Sequence, residues 1–159
     1  PERVQVSPNT SPPYSWICYL QIEDAKGNIH SGSGFKINFP DIKYTVIVTA
    51  ASNVYLRRGY ASKITLTFPG QPTLTAKSSD LYAPPEYINK GNEDYNYGFI
   101  LFPGNSSGGF GWTTQMEEEH LTDRLVTNCG YPNDKPAGSM WITGGEITSV
   151  EGNCISRVI

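Results

Sequence analysis

The sequence predicts an all-β fold, and three observations carry that expectation. Only 17% of the 159 residues are charged, while 16 Gly and 12 Pro supply more turn formers than long helices tolerate. Apolar residues make up 38% of the chain and aromatic residues 12%, enough to fill a core. They arrive in short runs of strand length, separated by turn signals.

In chain order, a proline-rich start gives way to SWICYLQIED (15–24), a strand that ends at the turn Lys26-Gly27-Asn28. NIHSGSGFKINF (28–39) is its returning partner, so the two make a hairpin. Residues 43–51 are nearly continuously apolar and β-branched, as in a strand covered on both faces. KITLTF (63–68) alternates and should be half-buried, whereas 73–87 drifts into a turn at Pro84-Pro85. YGFILF (97–102) is a further buried strand and 104–114 a loop. QMEEEHLTDR (115–124) is helical for two turns at most, and RLVTNCGYP, SMWITGGEITSV and CISRVI close the chain as three more strands. The composition shift over 108–124 marks a boundary between two β units, with no internal repeat.

Several partner classes are excluded. A net charge of −3 offers no basic face for a phosphate backbone, so nucleic acid is not expected. No apolar run approaches the roughly 20 residues of a membrane helix. No cofactor is expected, and no metal: HExxH and CxxC spacings are absent, and three Cys with two distant His make no ligand cluster. The first residues lack the segments of a signal peptide, so any such peptide was removed or never present. Cys18, Cys129 and Cys154 are an odd number of disulfide candidates, leaving one over. Asn9 and Asn105 head Asn-X-Ser/Thr triplets in turn-rich stretches and are glycosylation candidates. Together these features point to a secreted glycoprotein.

Five stretches carry a family resemblance over most of the chain: SGSGFKI (31–37), VIVTAASNV (46–54), the YGFILF strand, the GFGW turn (109–112) and, most specific, GYPNDKPAGSMW (130–141). The chain resembles the trypsin-like serine proteases of the glutamyl endopeptidase type. The resemblance implies a chymotrypsin-like double antiparallel β-barrel, with residues 1–110 forming the first barrel and its N-terminal arm, and 111–159 the first part of a second. In such a triad the histidine takes the proton of the serine and a buried carboxylate steadies the imidazolium.

Carried over by position, the histidine that follows Thr49-Ala50-Ala51 is Ser52, and the aspartate that precedes Tyr97-Gly98 is Asn96. A hydroxyl that does not titrate near neutral pH is no general base, and an uncharged amide steadies no imidazolium. The family's nucleophile segment would fall beyond Ile159. His30 and His120 do not follow the strand that presents the base, and Ser52 is also suited to capping a turn. Asp94, two residues from Asn96 and about 6 to 7 Å along an extended strand, is too far to replace the aspartate. The resemblance thus implies a degenerate homologue: an inactive, secreted binding protein for a carbohydrate or a protein. Ser52, Asn96, Tyr82, Tyr87 and Tyr95 are its candidate binding residues, because Tyr brings large contact area at low entropy cost. The alternative is a serine endopeptidase of Glu specificity seen as a fragment or with an altered triad. A second barrel left open exposes strand edges, so a C-terminal chain of the same precursor, cut near Ile159 and bridged by the spare cysteine, is expected to complete it as a heterodimer.

Overall fold

The computed structural model describes residues 2–104, 108–113 and 117–151 and the backbone of 154–158. The chain runs through β1 (Val4–Gln5), β2 (Ile17–Glu23), β3 (Ile29–Ile37) and β4 (Tyr44–Thr49) into a single helical turn, α1 (Ala51–Val54). A small hairpin follows, β5 (Tyr55–Leu56) and β6 (Gly59–Tyr60), then β7 (Lys63–Thr67), β8 (Leu74–Lys77) and β9 (Leu81–Tyr82). Helix α2 (Pro85–Lys90) and a 3-10 turn (Glu93–Tyr95) lead to β10 (Gly98–Pro103). Last come β11 (Leu125–Gly130), β12 (Trp141–Glu151) and β13 (Cys154–Val158).

Seven of these strands make one antiparallel sheet in the order β8-β7-β2-β3-β4-β10-β9. The sheet curls until β8 returns against β10, which gives a nearly closed barrel. Alternation explains the inward face: along β7, Ile64 and Leu66 are buried between exposed or half-exposed Lys63, Thr65 and Thr67. Leu20, Ile22, Ile47, Ile64, Leu66 and Ile100 meet inside with no exposed surface. Each such side chain contributes about 1.5–3 kcal/mol by leaving water.

The second unit is a four-stranded sheet in which β12 is central. It pairs with β11 on one edge, and with β1 and β13 in succession on the other. The double-barrel expectation is therefore met by one nearly closed barrel and one open sheet. Strand β1 lies in the N-terminal arm yet hydrogen-bonds to the second sheet, with Val4 opposite Ile142 and Gln5 opposite Trp141.

Two local expectations are corrected. Strand β4 stops at Thr49, because Ala50 turns the chain into α1 and Ala51 is already helical. The 73–87 stretch holds two strands and the start of α2, where Pro85 occupies the first helical turn, a place that needs no backbone donor. The β5–β6 hairpin and β1 are two residues per strand, too short to leave any periodicity. Of the three disulfide candidates, Cys18 and Cys129 are free thiols. Cys18 is walled into the barrel, and burial pushes its thiol up to about 12. The side chain of Cys154 lies outside the described residues, as does Asn105; Asn9 is half-buried.

The two units meet at Tyr131. Its hydroxyl donates to the Ile17 carbonyl at 2.8 Å, and its amide donates to Ser33 Oγ at 2.8 Å. Ile17, Tyr131 and Met140 form a second core cluster, flanked by Val6, Tyr14 and Phe110. Burial raises the Tyr131 phenol well above its ordinary value, reinforced by the neighbouring Cys18 and Cys129. Gly130 is required just before it, since a Cβ there would sit 2.8 Å from Ser33 Oγ.

Two predictions follow from this packing. A Cβ at Gly98 would lie 2.7 Å from Val54 Cγ2 and 3.1 Å from the Tyr82 carbonyl. Gly98→Ala should therefore destabilise the barrel by about 1–3 kcal/mol, read as a lower urea midpoint at unchanged slope. Asp134 accepts from both guanidinium nitrogens of Arg3, at 2.7 and 2.5 Å, and this bond lowers its carboxyl to about 2 from the ordinary 3.8. A carboxyl depressed in the folded state stabilises above its unfolded value and stops doing so as pH falls through its folded one. The arm should thus loosen between about pH 4 and pH 2, seen as a lower protection factor, relative to the intrinsic exchange rate at each pH, for the Val6 amide that now donates to the Met140 carbonyl at 2.9 Å.

Candidate functional site

Strand β4 delivers the site. Its last residue, Thr49, is buried and donates through Oγ1 to the Ser33 carbonyl at 2.8 Å, which pins the strand end to β3. The chain then makes the single turn of α1, whose N-cap is Ala50 with no side-chain cap; Ser52 is thus inside the helical turn and not its cap. Asn53 Nδ2 donates back to Thr49 Oγ1 at 2.9 Å, closing the turn on the strand. Ser52 is left exposed on the outer side.

From the other direction, the 3-10 turn Glu93–Tyr95 ends at Asn96, immediately before β10. Since β10 pairs with β4, with Gly98 opposite Thr49, Asn96 is brought over α1. The backbone N–H of Ser52 donates to Asn96 Oδ1 at 3.0 Å, while Asn96 Nδ2 donates to Glu93 Oε2 at 2.9 Å. Both ends of the amide are therefore engaged: its oxygen by the helical turn, its nitrogen by a carboxylate. The two positions singled out from the sequence stand in direct contact.

Asn96 also lines a cleft of about 870 Å³ between the barrel and the second sheet. Phe35, Thr49 and Phe110 form the barrel side, and Val126, Thr127 and Cys129 of β11 the opposite wall. The apolar Leu125 at the start of β11 is 83% exposed.

Other candidates lie elsewhere. His30 sits on the β2–β3 hairpin with its Nε2 3.2 Å from Asp24 Oδ2, and His120 Nε2 is 3.9 Å from Glu119 Oε1; neither lines the cleft. Asp94 belongs to the 3-10 turn, its amide donating to Asn92 Oδ1 at 3.1 Å. Tyr87 packs against the barrel core, whereas Tyr82 is 46% exposed. Tyr95 is half-buried and its ring is 6.3 Å from that of Tyr97. Among the described residues no group of three His, Cys, Asp or Glu is placed to hold a metal, and no helix is long and apolar enough to cross a membrane.

Chemically, the pair can position but not transfer a proton. A backbone N–H, a hydroxyl and an amide near neutral pH neither take up nor release one at useful rates. Sequence reasoning missed the supporting contacts of Ser33, Thr49, Asn53 and Glu93. Ser33 and Thr49 are sixteen residues apart and meet only through the β3–β4 pairing, so no local signal could have joined them.

No family model matches the chain. Among curated proteins it is 32% identical to the extracellular metalloprotease of Bacillus subtilis (strain 168), over 94% of this chain and 49% of that protein. It is 29% identical to the glutamyl endopeptidase of Bacillus licheniformis, over 94% of this chain and 46% of that one. The chain thus spans about half the length of the curated relatives it matches. Among solved structures, that of a Glu endopeptidase in complex with MPD superposes with a TM-score of 0.75 at 23% identity, over 94% of this chain and 70% of that one. The protease Anisep from Arthrobacter nicotinovorans gives 0.71 at 20% identity, over 92% and 68%. The shared fold and the glutamyl endopeptidase relative agree with the residues of GYPNDKPAGSMW and VIVTAASNV: the chain has the chymotrypsin-like fold and is similar to the trypsin-like serine proteases of the glutamyl endopeptidase type.

Proposed function

We propose that this chain is the recognition half of a secreted protease-fold protein, whose cleft takes an extended peptide or protein segment without hydrolysing it. The observation that carries this reading is the Ser52–Asn96 contact. The backbone N–H of residue 52 donates to the side chain of residue 96, which supports reading the two as the histidine and aspartate positions, and neither residue can act as a base or steady one. A peptide is the favoured ligand because the relatives are proteases, and because the cleft runs between two sheet units with stretches of β3, β4 and β11 along it. Secretion is proposed on the same footing, the Bacillus subtilis relative being named as extracellular.

A second reading is a serine endopeptidase of Glu specificity, of which this chain is a part. The curated relatives favour it, since both are proteases; the residues at 52 and 96 oppose it. Under either reading the open wall of the second sheet needs a cover. Leu125 is almost wholly in solvent, and among the described residues no strand pairs with the outer edge of β11. A further strand-forming segment of the precursor is the proposed occupant.

The first reading is tested with a fluorophosphonate probe and a panel of Glu-containing peptides. The expected result is no labelling and no turnover, with peptide retained on immobilised protein; labelling with turnover would install the endopeptidase instead. Rebuilding the pair gives a second prediction. Ser52→His alone should titrate near the ordinary imidazole value of about 6.5. Adding Asn96→Asp should raise that value by about one unit, because an adjacent carboxylate favours the imidazolium. Proton NMR of the ring reads both, and identical titrations would show that positions 52 and 96 are not placed as an acid–base pair.

A further inference from the structure

A row of rings runs along the outer face of β9 and β10, starting beside Asn96. Tyr95 and Tyr97 lie 6.3 Å apart, Tyr97 and Phe99 5.9 Å, and Phe99 and Tyr82 6.0 Å, the last two directly opposite one another across the β9–β10 ladder. The residues that alternate with them, Gly98, Ile100 and Leu81, are buried toward the barrel. Tyr97 and Tyr82 remain 40% and 46% exposed, so packing the core is not what they do.

The segment that carries Tyr82 and Tyr95 is acidic. Residues 80–96 hold Asp80, Glu86, Glu93 and Asp94 against Lys90 alone, a net of −3 that equals the charge of the entire chain. Glu93 is tied to the row's starting point, since its carboxylate accepts from Asn96 Nδ2. Ring faces carry negative electrostatic potential and attract a guanidinium or ammonium, and nearby carboxylates add to that attraction. A sugar could stack on the same rings but would make no use of the charge. The chain makes a contact of this kind within itself, where Lys135 Nζ lies 4.2 Å above the Trp141 ring.

We propose that the row Tyr95, Tyr97, Phe99 and Tyr82 binds an arginine- or lysine-bearing stretch of the peptide that occupies the cleft. This rests on the peptide reading and adds its specificity: the basic side chains of the ligand lie on the β9–β10 side of Asn96.

The test compares a tetra-arginine peptide, a tetraglutamate peptide, a neutral Gly-Ser peptide and a maltooligosaccharide by titration calorimetry on the full protein. The tetra-arginine peptide should bind at least about tenfold more tightly than the Gly-Ser peptide, with the difference shrinking as salt rises. Tyr97→Ser and Tyr82→Ser should each weaken it about fivefold while leaving the thermal midpoint unchanged, as expected for exposed rings. Equal binding of basic and neutral peptides, insensitive to both substitutions, would overturn the basic preference and leave the peptide reading standing. If no peptide binds at all, both fall. Saccharide binding lost in Tyr97→Ser, or self-association abolished by it in sedimentation, would hand the row to a sugar or to a second copy of the chain and overturn the proposal.

Discussion

Ser33 is the residue on which both β units depend. Its carbonyl accepts from Thr49, which fixes where β4 ends and α1 begins, and its hydroxyl accepts from the Tyr131 amide, which fixes where the second sheet sits. One residue of β3, through its backbone carbonyl and its hydroxyl, thus couples the helical turn that presents Ser52 to the loop that follows β11. Such coupling is available only because Gly130 leaves the space that a Cβ would take. The cleft is a by-product of this junction: its two walls are held apart by the Ile17–Tyr131–Met140 cluster and together by the hydrogen bonds of Ser33 and Tyr131.

The placement of residue 96 does not depend on its charge. What orients residue 96 is a hydrogen bond from the backbone of residue 52, and a neutral amide oxygen accepts that bond as readily as a carboxylate does. Geometry here does not depend on charge, whereas proton transfer does. Asn at this position and Ser at the other keep the local contacts and offer no group that titrates near neutral pH. Glu93 occupies the amide nitrogen that a carboxylate would not have offered, which makes Asn96 better satisfied in its present form than a simple isostere would be.

Much of the fold was legible in the sequence, for reasons that differ between elements. The hairpin of β2 and β3 announced itself by Lys26-Gly27-Asn28, and β7 by strict alternation, because both signals are local. The two-residue strands β1, β5, β6 and β9 were invisible, since their pairing is decided by tertiary contacts and not by period. Helix α2 hid behind Pro84-Pro85, which reads as a turn unless one knows that the helix starts there. At the site, Ser52 and Asn96 were found through the strand phrases next to them, and the structure brings them into contact. The residues that hold them, Ser33, Asn53 and Glu93, act through bonds that link distant strands or a neighbouring turn, and no spacing rule reaches these. Tyr87, grouped with Tyr82 and Tyr95 by sequence proximity, is drawn off into the core by the rotation of α2.

The attachment of β1 to β12 reaches beyond the N-terminal arm. Val4 and Ile142 are neighbours across a ladder although 137 residues lie between them, so β1 closes a long loop onto the second sheet. Closing so long a loop costs chain entropy before any contact made by β1 can offset it. The arm is therefore expected to dock late. A proteolytic cut in the connecting loop would still leave two pieces interlocked, each holding a strand that the other requires.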